Sequence, residues 1–202
     1  MRYFIAIASI IVFFACEDKN GETTRDQQTL DTTTVVQKGQ EITSATFATL
    51  SSNLQKAMGE GGVRHALKFC NIKAYPLTDS LTEHFGVELR RASHRPRNPS
   101  SKADSLEMQS IEKYIEQIEG EKTPKARVIQ AEDKILYHAP IRISNQLCLN
   151  CHGKPGEDIT ASNLQIIDSL YPDDEARDFQ MGALRGIWSV RFPYDYFDSN
   201  KK

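Results

Sequence analysis

"KARVIQAEDKILYHAPIRIS", residues 125–144, carries two β-prone arms around the short turn "AED" at residues 131–133. In the second arm Ile135, Tyr137, Ala139, Ile141 and Ile143 recur every second residue. Successive side chains of a strand point to opposite faces, so these five share one face, and the stretch reads as a β-hairpin. A hairpin commits the fold to an antiparallel sheet.

On its N-terminal side the pattern changes from period two to three and four. Ile42, Ala45, Phe47, Leu50, Leu54, Ala57 and Met58 fall at helical spacing, and Gly59, Gly61 and Gly62 end that helix. Val63, Ala66, Leu67, Cys70, Ala74, Leu77 and Leu81 resume it, so a second helix carries Cys70 on its apolar face and is bent by Pro76. "GVELRRAS" (86–93) reads as a strand, "HRPRNPSS" as a loop, and residues 104–118 as a third helix. Beyond the hairpin come loop and short helix, a helix over about 173–179, and a last strand in "GALRGIWSVRFPYDYF" (182–197), whose Trp188 is expected in the core. The sum is one α+β domain over residues 41–197, long N-terminal helices packed on an antiparallel sheet of four or five strands, followed by a tail at 198–202.

The first sixteen residues stand apart. "MRYFIAIASIIVFFAC" has a basic head at Arg2, an apolar run from Tyr3 to Phe14 and then Ala15-Cys16, the layout of a bacterial export signal. "FFAC" is similar to a lipoprotein signal, in which the cysteine becomes the lipidated N-terminus. A free Cys16 at the end of an uncleaved anchor is the alternative, and in both cases the domain lies outside the cytoplasmic membrane. Residues 17–40, polar and rich in Thr and Asp, read as a disordered tether. It would hold the domain near a periplasmic or outer-membrane face.

With 25 basic against 27 acidic side chains, the chain offers no field for nucleic acid. Its chemistry must come from a site, and the densest motif is "CLNCH", residues 148–152. From the four cysteines and five histidines present, chance would supply such a pattern roughly 0.002 times. A thioredoxin-like pair has no use for the adjacent histidine and usually has Gly or Pro between its thiols, where Leu149 and Asn150 stand here. A structural zinc site needs a second pair of ligands, which the sequence lacks. Covalent haem accounts for every member of the motif: Cys148 and Cys151 as thioethers to the vinyl groups, and His152 as proximal iron ligand. That attachment occurs outside the cytoplasmic membrane, where the signal segment directs the chain. Cys70 then remains without a disulfide partner, either a small apolar filler on its helix or a residue with chemistry of its own.

"FCNIKAYPL", "RASHRPRNP", "ADSLE", "APIRI", "CLNCHG" and "YPDDEARDFQMGALRGIWSV" occur in an order that resembles a bacterial family of PAS-like domains carrying one c-type haem. The likeness spans residues 63–193, through Arg91, Ser93, Arg97, Asn98, Pro99, Asp104, Glu107, Tyr171, Pro172, Asp174, Ala176, Gly182, Arg185 and Gly186. It departs from the pattern at Arg177-Asp178 and at His138. The resemblance implies haem c as cofactor and a cysteine of the long N-terminal helix as second axial ligand, which here is Cys70. Met58, His94, His138 and an open site are the rivals. His138, off the face of the Ile135 row, is also expected to face solvent. Arg91, Arg97 and Arg185 are expected near the haem propionates, since a guanidinium matches a carboxylate with paired hydrogen bonds.

Two functions follow. With both axial positions filled by the protein, the domain would transfer electrons or sense redox state or a small gas, CO or NO, in the reduced state. Its redox or signalling partner would bind non-covalently and is not identified by the sequence. With an open distal site, His94 and Arg97 would serve a peroxidase or reductase.

Overall fold

The computed structural model describes residues 31–198. The export signal, Cys16 and most of the expected tether lie outside the described residues. Helix α1 (Thr32–Phe85) leads into β1 (Glu88–Ala92) and a 3-10 turn, Pro99–Ser101. Helix α2 (Ser105–Glu119), the hairpin β2 (Arg127–Gln130) and β3 (Lys134–Arg142), helices α3 (Gln146–His152) and α4 (Ala161–Leu170), and β4 (Leu184–Pro193) follow. The four strands form one antiparallel sheet in the order β1-β4-β3-β2. The fold is therefore α+β, with a long N-terminal helical segment.

That segment is bent back on itself. Lys38 Nζ lies 5.7 Å from the centroid of the Phe85 ring, whereas on a straight helix the two residues would be roughly 70 Å apart. The reversal falls at Gly61 and Gly62, the two non-helical residues of α1, and Gly62 has φ 67°, a conformation that favours glycine. The glycines expected to divide two helices do divide them. Ala57 and Ala66, both almost wholly buried, sit at mirrored positions about the turn, where small side chains let two helices close together.

The helix starts earlier than its sequence suggests. Asp31 caps it by accepting from the Thr33 N–H, so residues 32–40, read as tether, are its first turns. Val35 and Ile42 are completely buried, and Gly39 meets the sheet so closely that a Cβ there would stand 2.3 Å from the Tyr137 ring. Three positions among Thr, Gln and Lys were too few to register as a period, yet they suffice to dock the helix.

Helix α1 covers one face of the sheet and α2 the other. Asp104 and Glu107 form a reciprocal capping box at the start of α2, and Ile111 and Tyr114 pack on Ala92, Leu184 and Ile187. This second cover corrects the reading of His138. It does not face solvent but is fully buried, its Nδ1 2.8 Å from Ser110 Oγ and its carbonyl accepting from the Tyr114 hydroxyl at 2.8 Å. Both faces of β3 are buried, so alternation told the faces apart without telling which was wet. Trp188 is buried in β4 as expected. Residues 173–179 are not helical: Asp174 folds back to accept from the Ala176 N–H, and Asp178 has φ 57°.

Candidate functional site

The C-x-x-C-H motif lies on α3. Asn145 caps that helix through the Cys148 N–H, and Gly153 ends it, donating to the Leu149 carbonyl. One turn presents the two thiols to different neighbours. Cys148 packs with Ile143, Leu149, Ala176 and Phe179, while Cys151 packs with Leu67, Ile159 and Ile167. The second half of α1 thus passes directly over the motif.

The irregular segment 174–179 clamps the end of α3. Phe179 N–H donates to the His152 carbonyl at 3.0 Å and Asp178 N–H to the Gly153 carbonyl at 3.0 Å. Nδ1 of His152 lies 2.9 Å from the Ala176 carbonyl oxygen. Two guanidinium nitrogens, Arg97 Nη2 and Arg185 Nε, stand farther off at 3.3 Å. Arg185 Nε points its N–H at the same nitrogen, but the shorter contact to the carbonyl favours a proton on Nδ1, and in that tautomer Nε2 keeps its lone pair free. Burial, then Arg185 and Arg97, hold the imidazole well below its ordinary pKa, so it is neutral. A neutral imidazole with Nδ1 tied to a backbone carbonyl has the form of a metal-ligating histidine.

Arginines surround this ring. Arg97 donates through Nη2 to the carbonyls of Cys151 and Ala176, pairs with the buried Asp174 at 3.3 Å, and lies 5.7 Å from the Tyr171 ring centroid. Its Nε and Nη1 are buried without a hydrogen-bond acceptor. Arg185 is the extra residue of a β-bulge, because Ile141 pairs with Gly186 while Arg142 pairs with Leu184. A bulge turns a side chain off the regular alternation, and Ser93 holds this one by accepting from Arg185 Nη1 and donating to its carbonyl. Burial and the neighbouring Arg97 and Arg91 bring the Arg185 guanidinium down to about 9. Arg91 is lowered by burial too, with Tyr75, Cys70 and Tyr171 as its opposing neighbours. Arg97 and Arg185 both feel the buried carboxylate of Asp174, which also pairs with Arg177 at 2.7 Å.

Cys70 joins the same site. Burial pushes its thiol up, Arg91 and Arg97 pull it down, and Cys70 in turn raises Cys151, whose thiol burial takes to about 11. Cys70, Cys148, Cys151, His152, Arg91, Arg97 and Arg185 are therefore brought together. His94 and His152 both meet the Phe179 ring edge-on, and His138 is under α2 on the other side of the sheet. Met58 is in the first half of α1, ahead of the reversal. Among the described residues no group of three or more His, Cys, Asp or Glu is placed to hold a bare metal ion. The Ala176 carbonyl and Phe179 were missed in the sequence: a backbone acceptor has no side-chain signature, and one phenylalanine among nine gives no spacing to read.

Fold and site define a small α+β domain with a C-x-x-C-H helix set in a ring of arginines. A family model described as Tll0287-like, Tll0287, matches residues 21–193, and the chain belongs to that family. Among solved structures it is similar to the crystal structure of the cyanobacterial heme-protein Tll0287, at 20% identity and TM-score 0.57, over 81% of this chain and 94% of that one. At that identity the likeness speaks for the fold. No curated protein matches.

Proposed function

We propose that this chain is an exported haem protein in which Cys148 and Cys151 hold one haem c covalently and His152 Nε2 is its proximal ligand. The observation that carries the reading is the pairing of a neutral His152, fixed through Nδ1 to Ala176, with a buried Arg97 that has Asp174 as counter-charge but two nitrogens without a hydrogen bond. A buried guanidinium with two unsatisfied nitrogens needs an acceptor, and the two propionates of a haem are acceptors of the matching charge and shape. Arg97 would receive one of them, with Arg91 and Arg185 completing the basic wall. The solved structure that shares this fold is that of a cyanobacterial heme-protein, which agrees with the assignment.

Cys70 is the distal ligand in this reading. It sits beside Cys151, Arg91 and Arg97, whereas His138 is enclosed by α2 and His94 packs edge-on against Phe179. The bound haem supplies one-electron chemistry, and the protein's part is to hold both axial side chains and exclude water. Such a site suits electron transfer or the sensing of redox state or of CO or NO, rather than substrate turnover. The four-stranded sheet flanked by α1 and α2 supports the PAS-like reading, and the lipoprotein-like Cys16 supports anchoring at a membrane outside the cytoplasm. Any redox or signalling partner would bind non-covalently.

The ferric absorption spectrum of the purified exported chain tests the choice between binding and turnover. A low-spin spectrum that peroxide leaves unchanged agrees with two protein ligands. A high-spin spectrum with rapid peroxide reaction would favour a haem peroxidase with an open distal site.

A further inference from the structure

Phe179 also lines a concavity of its own. A groove of about 500 Å³ runs between the C-terminal end of α2 and the 178–184 segment. Ile115, Ile118 and Leu184 give it an apolar wall, Phe179 closes its inner end, and His94, Arg95 and Arg142 are its basic members. Phe179 is common to this groove and the site already described, its ring meeting His94 edge-on at 6.2 Å and His152 edge-on at 6.3 Å.

The groove's polar groups point to a ligand. His94 Nδ1 is buried without a hydrogen-bond partner. Arg95 is fixed by donation from Nε to the Glu175 carbonyl and from Nη2 to the Arg177 carbonyl, and its guanidinium lies 4.6 Å from the Phe179 centroid. Arg142 donates through Nε to the Gly182 carbonyl at 2.8 Å. Two carboxylates also border the groove. Asp178 acts on the Lys154 ammonium, and Glu119 ends α2 at the rim. The inner end, where His94 lies among Arg95, Arg185 and the single opposing Glu175, is cationic.

We propose that this groove is a second ligand site, for a small carboxylate with an apolar body, and that Phe179 reports its occupancy to His152. The carboxylate takes hydrogen bonds from Arg95, Arg142 and His94 Nδ1, and the body lies on Ile115, Ile118 and Leu184. Packed rings transmit displacement because an interior has no slack. The reporting half rests on the haem reading, and the binding half does not.

Calorimetric titration of the purified full chain with phenylacetate, and with uncharged phenylacetamide as control, tests the site. Saturable binding of phenylacetate at or below roughly 1 mM is expected, with no saturable binding of the amide. Arg142→Gln and His94→Phe, neither of them among the ligands of His152's site, should each weaken it roughly tenfold. Phenylacetate should also shift the haem absorption, and Phe179→Leu should abolish that shift while binding persists. No saturable heat up to roughly 10 mM, equal binding of the amide, or a crystal structure of the haem-loaded chain with a propionate in the groove would overturn the site. Binding without any spectral change would overturn the reporting role of Phe179 alone, and absence of haem from a chain that still binds phenylacetate would sink the haem reading instead.

Discussion

His152 Nδ1 and the Ala176 carbonyl oxygen lie 2.9 Å apart, and the turn that makes this contact is tied by Asp174. The Asp174 carboxylate is fully buried and serves three groups at once: the Ala176 N–H, Arg97 and Arg177. Asp174→Ala strips all three and leaves Arg97 buried without a counter-charge. A loss of about 3 kcal/mol is expected, on the order of a 10 °C fall in melting temperature. Asp174→Asn keeps the acceptor for Ala176 and should lose less. Thermal unfolding of the two variants checks the order, and equal losses would mean that charge rather than the turn is what Asp174 supplies.

Gly39→Ala tests the early start of α1. The added methyl carbon would overlap the Tyr137 ring, and a ring held between helix and sheet has no free direction in which to move. A cost of roughly 1–3 kcal/mol is expected in urea unfolding. No measurable cost would mean that residues 32–40 do not pack on the sheet.

His138 gives the domain a defined acid sensitivity. Burial brings its folded-state pKa to about 4, from an unfolded value near 6.5. A depressed histidine leaves stability whole above about pH 6.5, and the contribution falls as protons bind the unfolded chain between that pH and about 4. The size of this fall is roughly 3 kcal/mol. His138→Gln should flatten the stability profile of the domain between pH 6.5 and 4, measured by urea titration. An unchanged slope would remove His138 as its source.

Cys70→Ala addresses the distal position. A thiolate stabilises ferric over ferrous iron, so the variant should have a higher midpoint potential and a ferric spectrum moved towards high-spin or a substitute ligand. Covalent haem content should not change, because the attachment thiols are elsewhere. A wild-type potential and spectrum would return Cys70 to the role of a small core residue.

Much of this is legible in the sequence, and for physical reasons. Turn residues 131–133 and the alternation of β3 disclose the hairpin, the Asp104–Glu107 spacing marks the start of α2, and three glycines mark the reversal of α1. The motif names its own histidine. What stays hidden depends on tertiary context: the docking of α1 by Val35, Gly39 and Ile42, the burial of His138 under a helix from elsewhere in the chain, and the replacement of a helix at 173–179 by an Asp174 turn. The bulge that redirects Arg185 belongs with these, since register between two strands is written in neither of them alone.

Covalent haem on Cys148 and Cys151 is open to intact-mass spectrometry of the exported chain after extraction in acidified organic solvent. The expected chain is heavier by the mass of one haem, reduced to the bare polypeptide when both cysteines are replaced by alanine. A wild-type chain that loses its haem to the solvent, or a double variant that keeps it, would rule out thioether attachment at these two cysteines.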